Sequence, residues 1–104
     1  MKVIECLSDF IECELDKAED YIMAAVKYRE DFPEISKGLY AKSLARIEDI
    51  KPLHDLVVMA INNYRAKEGE APAPMMNIYD YLHRRHIEKA AAVKRLQELY
   101  KNGV

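Results

Sequence analysis

Three ionisable side chains, Glu14, His54 and His86, occupy positions where the helical pattern calls for apolar residues. Heptad numbering places each of them between apolar residues seven positions away, namely Leu7 and Tyr21, Ile47 and Ile61, and Tyr79 and Val93. Two imidazoles and one carboxylate are a suitable ligand set for divalent iron, manganese or zinc, with coordination positions left open. A buried carboxylate requires such a cation or another partner, because unpaired burial costs several kcal/mol.

The heights of these three side chains are predicted to match. Counting residues from the turns, at about 1.5 Å of rise per residue, places them within about 8 Å of one another along the helix axes. They are therefore our candidate metal ligands, with His83 as a further candidate at the edge of the same face. The alternative is structural: a Glu–His hydrogen-bonded pair, or histidines bonded to tyrosines, that fixes how the helices align.

Three helical segments must position these side chains. Apolar residues recurring at spacings of three and four predict helices over about 3–31, 34–67 and 75–102. Pro33 separates the first two, because proline disfavours helical geometry in the preceding residue and suits a first turn. Pro52 lies inside the second segment, so we expect a kink near residues 48–51 or a split into two collinear helices. Gly69 is the expected C-terminal cap of that segment.

The same spacing predicts which residues form the core. On the first segment the inner line is Ile4, Leu7, Ile11, Leu15, Ala18, Tyr21 or Ile22, and Ala25; on the second it is Ile35, Leu39, Tyr40, Leu44, Ile47, Ile50, Leu53, Val57, Ile61 and Tyr64. No segment alternates with period two, and the connections are short. We therefore predict an all-α fold, an antiparallel three-helix bundle forming one domain over residues 1–104.

Composition restricts the partners. The 104 residues are 50% hydrophobic and 33% charged, with a formal net charge of −2, which argues against a nucleic-acid partner. Neither a secretory signal nor an apolar stretch of about 20 residues is found, so we expect a cytoplasmic protein without a membrane span. Cys6 and Cys13 lie seven positions apart on one predicted helix and cannot bridge each other. We expect reduced, partly buried thiols; the alternatives are an intersubunit disulfide or a metal-binding pair.

Three stretches carry a family resemblance. In the first, residues 14–21, Glu14 is followed by a small residue and an aromatic residue at helical spacing; the others are residues 33–44 and 79–91. Over nearly its whole length the chain resembles small bacterial and phage proteins of the ferritin-like, rubrerythrin-type superfamily. The resemblance implies that Glu14 ligates metal and that a Glu-x-x-His pair follows near Arg46 and Asp49. This chain has Arg46-Ile47-Glu48-Asp49 there, and an arginine repels a cation.

Two functions follow from these observations. Because most of the superfamily's ligands are missing, we predict a non-catalytic helical structural or protein-interaction module, a degenerate ferritin-like protein. The alternative is a small ferritin-like protein that holds iron, manganese or zinc through Glu14, His54 and His86. A full di-iron site needs four helices and three are predicted, so either a dimer completes the site or the di-iron chemistry is absent. We expect a helical homodimer for both functions. The broad apolar run at residues 57–61 suits a helix packed between two neighbours or against a second subunit.

Overall fold

The computed structural model of the protein describes residues 2–103 and contains four helices. They are α1 (Lys2–Lys27), α2 (Pro33–Glu48), α3 (Ile50–Glu68) and α4 (Ala73–Lys101). No residue in this described range belongs to a β-strand. The all-helical prediction is therefore confirmed.

The second predicted helix is divided into α2 and α3 by one residue, Asp49. The backbone of Asp49 keeps helical angles (φ −67°, ψ −15°), and its N–H donates to the carbonyl of Ala45 at 3.1 Å. The division falls where Pro52 predicts a disturbance, because proline lacks an N–H and its ring crowds the carbonyl of Glu48. Residues 33–68 would span about 54 Å as one straight helix. The molecule measures 56 × 18 × 17 Å, so α2 and α3 run nearly in line.

The first helix ends at Lys27, about four residues before the predicted end at 31, and residues 28–31 form a turn. Pro33 accounts for the difference, because it keeps Phe32 out of the helical region, at φ −137° and ψ 68°. The chain must therefore reverse before Pro33. The N–H of Phe32 donates to the carbonyl of Tyr28 at 2.9 Å and closes the turn. The cap predicted at Gly69 is present, with φ 81° and its N–H donating to Arg65 at 3.0 Å.

Contacts between helices define their directions. Ser36 bonds to Ala25 and Ser43 to Ala18, so α2 runs antiparallel to α1. Two ion pairs join α1 to α4, Glu12–Arg85 and Asp16–Lys89. The later residue of α1 pairs with the later residue of α4, so these two helices are parallel. α1 packs against each of the other three helices. It is therefore the element that holds the fold together.

One side of α1 is buried along its whole length, by Ile4, Ser8, Ile11, Leu15, Ala18, Ile22 and Ala25. Of the two candidates Tyr21 and Ile22, the residue fully buried is Ile22. Two hydrophobic clusters result. One centres on Leu15 and Val57, and the other on Ile22 and Tyr100.

The predicted inner line of α2 is wrong in part. Ile35 is 58% exposed and Leu44 is 36% exposed, whereas Ser36 and Ser43 are fully buried. Ala18 and Ala25 are the residues of α1 to which these serines bond. Four small side chains let the two helices approach closely, and a large aliphatic residue would not fit between them.

Candidate functional site

The predicted ligand Glu14 is paired with an arginine. The Nη1 atom of Arg46 lies 3.3 Å from Oε1 and 3.2 Å from Oε2 of Glu14, and both side chains are half-buried. The hydrogen bond and the charge of Glu14, together with a hydrogen bond to Tyr21, raise the pKa of Arg46 above its usual range. A permanent guanidinium therefore supplies the positive charge that the half-buried carboxylate requires.

The second predicted ligand, His54, lies beside His83 of α4. The two ring centroids are 5.0 Å apart, and the ring of Tyr79 stacks on His83 at a centroid distance of 5.8 Å. Burial, with a smaller contribution from the charge of Asp80, raises the pKa of Tyr79, so its hydroxyl stays protonated at neutral pH. His83 was expected only at the edge of the face, yet it is the histidine that contacts His54.

The third predicted ligand, His86, lies on a different side of α4. Its Nε2 atom is buried with no hydrogen-bond partner within the described part of the chain. Burial lowers the pKa of His86; nearby Arg85 and His83 act in the same direction, and Glu12 acts against them. The ring borders a surface hollow of about 300 Å³ that Glu12, Arg85 and Lys89 also line.

The three predicted ligands are therefore not brought together. Glu14 bonds to Arg46, His54 contacts His83, and His86 lies near Glu12. Across residues 2–103, no group of three or more His, Cys, Asp or Glu side chains is placed to hold a metal ion. His83 and His86 are three residues apart, so they project about 60° apart around α4 and face different helices.

Two buried serines connect three helices, and neither was predicted from the sequence. Ser43 donates to the carbonyl of Ala18 at 2.7 Å and accepts from Gln97 Nε2 at 2.9 Å. Ser36 donates to the carbonyl of Ala25 at 2.5 Å, and its oxygen lies 2.8 Å from the Tyr100 hydroxyl. Each hydroxyl thus links α2 to both α1 and α4. The available signal was the matching seven-residue spacing of the two serines and of the two alanines.

A groove separates α3 from α4. No Cα atom of α3 lies within 8 Å of a Cα atom of α4, although both helices pack against or beside α1. Directly packed helices have axes only about 8–10 Å apart, which brings their Cα atoms closer than this. The α3–α4 groove is a hollow of about 290 Å³, with the following lining residues: Ile47, Ile50, Lys51, His54, His83, Ala90 and Lys94.

An apolar pocket continues this groove toward the start of α4. Tyr79 lines the pocket and stacks on His83, which lines the groove. The other lining residues are mostly apolar: Ile4, Glu5, Ile61, Met75, Met76, Ile78 and Leu82. Methionines adapt their shape to different contacts, so this end of the groove suits an apolar partner surface.

The cysteine prediction is corrected in one respect. Cys6 and Cys13 are free, as expected, but both are exposed rather than partly buried. They share the outer side of α1 with Val3 and Phe10, which are also more than half exposed. Within the described residues, no helix has the length and apolar character needed to cross a membrane.

The chain matches no family model, no curated protein and no solved structure.

Proposed function

We propose that the protein is a non-catalytic helical interaction module that binds another protein through the α3–α4 groove. Its ferritin-like scaffold consists of three helical rods, which are α1, α2 with α3 nearly in line, and α4. The observation that carries the proposal is the separation of α3 from α4. Across this gap, the ring of His54 on α3 lies 5.0 Å, centroid to centroid, from the ring of His83 on α4. A groove of this kind accepts an amphipathic helix, which would add a fourth rod to the bundle and bury the apolar lining.

The pairing of Glu14 with Arg46 supports a non-catalytic role. The ferritin-like resemblance assigns Glu14 to a metal, and in this chain a guanidinium lies against both of its oxygens. The scaffold is thereby retained while the carboxylate serves as half of an ion pair. We infer that this half-buried ion pair fixes the alignment of α1 and α2.

Site-specific photo-cross-linking in cells tests this function. A photoreactive amino acid is placed at Ala90, which lines the groove, and in a control at the neighbouring Ala91, which is exposed outside it. We expect position 90 to yield an adduct with one protein, identified by mass spectrometry, and position 91 to yield none. The adduct should disappear when His54→Trp fills the groove. Equal labelling from both positions, or none from either, would contradict the proposal.

A further inference from the structure

The α3–α4 groove is basic as well as apolar. Two of its lining residues, Lys51 and Lys94, carry a positive charge, and two more are the histidines His54 and His83. None of its lining residues is acidic. Lys51 is partly neutralised by Asp55, whose Oδ2 lies 3.1 Å from its Nζ, whereas Lys94 forms no ion pair with any described residue. Ile47, Ile50 and Ala90 form the apolar part of the lining.

We infer that the occupant of this groove is an acidic amphipathic helix, with an apolar stripe on Ile47, Ile50 and Ala90 and carboxylates beside Lys94 and Lys51. This inference rests on the proposed function and names the partner of the same groove. The inference depends on charge complementarity: a carboxylate beside Lys94 gains a partner, whereas a basic helix would be repelled by the two lysines.

The dimensions of the groove fit a short helix. His83 and Lys94 mark its extent along α4, and eleven residues of helix span about 16 Å, or three turns. An occupant of three to four turns would therefore place apolar residues at spacings of three and four along the lining. If it extends past His83, its apolar end reaches the pocket lined by Met75, Met76 and Leu82.

Selection from a displayed library of short helical peptides tests the inference. Leucines are fixed at spacings of three and four, and all other positions are randomised. Peptides are kept when they bind the wild-type chain and fail to bind two groove-filling variants, Ala90→Trp and His54→Trp. A variant is used only if circular dichroism shows that it has the helix content of the wild type. Ile50→Trp or Lys51→Trp replaces any variant that unfolds.

We expect the retained peptides to be enriched in Asp and Glu relative to the unselected library. Retained peptides without this enrichment would overturn the acidic partner and leave the proposed function standing. If no peptide distinguishes the wild-type chain from the filled variants, both proposals fail. If the adduct of the cross-linking experiment is a second copy of this chain, the acidic-partner inference fails and the interaction function is kept.

Charge variants of the groove provide the matched measurement. For a retained acidic peptide, Lys94→Gln and Lys51→Gln should each weaken binding about two- to fivefold, the range for exposed ion pairs. The weakening should decrease as salt is added, because salt screens exposed charges. Lys37→Gln on α2 is the control, since Lys37 is exposed, pairs with Glu34 and lies outside the groove. An equal effect of all three substitutions would show that only net charge matters, and would overturn the inference.

Discussion

The guanidinium of Arg46 bonds to both carboxylate oxygens of Glu14, and this contact joins α1 to α2 near the break at Asp49. The two residues are 32 positions apart in the chain. Each supplies the charge that the other needs, because half-buried ionic groups are costly without a partner. The relationship also explains why the predicted metal ligand Glu14 does not meet His54 or His86.

Glu14→Gln and Arg46→Met should each lower the free energy of unfolding, because each leaves a half-buried charge without its partner. The double variant should lose less than the sum of the two single losses. Urea unfolding of all four proteins measures this coupling as a double-mutant cycle. Additive effects at low salt would mean that the contact contributes nothing to stability.

Ser43→Ala should lower the free energy of unfolding by about 1–3 kcal/mol, because the buried Nε2 of Gln97 then loses its acceptor. Adding Gln97→Leu should recover part of the loss, since no unpaired polar atom then remains. Lys42→Ala, at the neighbouring exposed position, is the control and should change stability by less than about 0.5 kcal/mol. Chemical denaturation of the wild type and the three variants is the measurement.

Leu15→Ala should cost about 2–5 kcal/mol in the free energy of unfolding, because it opens a cavity at a side chain that is 1% exposed. Met23→Ala on the same helix removes a side chain that is 56% exposed. It should change stability by less than about 0.5 kcal/mol. Thermal unfolding followed by circular dichroism distinguishes the two, and similar losses would contradict the assigned orientation of α1.

The stability of the protein should decrease as the pH falls below about 6.5, in part because of His86. Burial lowers the pKa of His86 in the folded state, so the unfolded chain binds the proton more tightly. The stability that neutral His86 contributes is fully present above its unfolded-state pKa of about 6.5. It is lost as the pH falls through the lower pKa that His86 has in the folded state. Urea unfolding at pH 7.5 and at lower pH measures the slope.

The control for this pH dependence is His86→Leu, which removes the titrating ring and the unpartnered Nε2 atom. The slope of stability against pH should be smaller in the variant than in the wild type. The groups acting on His86 are Glu12, Arg85 and His83, and they are unchanged in the variant. An unchanged slope would assign the pH dependence to other groups.

The core of α1 could be predicted from sequence because the helix has a single apolar side. Ile4, Ile11, Leu15, Ala18 and Ala25 are all buried as the spacing indicates. The inner side of α2 could not be predicted in the same way, because its buried residues are polar. A serine becomes a core residue only when a carbonyl on a neighbouring helix accepts its hydroxyl, and the spacing within one helix does not contain that information.

The candidate site was predicted less well for a similar reason. Counting residues gives the height of a side chain along a helix, but it does not give the direction in which that side chain points. His83 and His86 differ little in height, yet His83 contacts His54 and His86 faces Glu12. The sequence indicated that Arg46 is unsuitable for a metal site. It did not indicate the contact of Arg46 with Glu14, because that contact depends on how α1 and α2 align.

The paired spacing of Ala18 with Ser43 and Ala25 with Ser36 sets the register between α1 and α2 independently of the turn that joins them. Sliding α2 by one residue would rotate both hydroxyls about 100° away from their acceptors. Sliding it by a whole heptad would preserve only one of the two bonds. Insertions between the exposed residues Glu30 and Asp31 of this turn should therefore lengthen the connection while the two helices keep the same alignment.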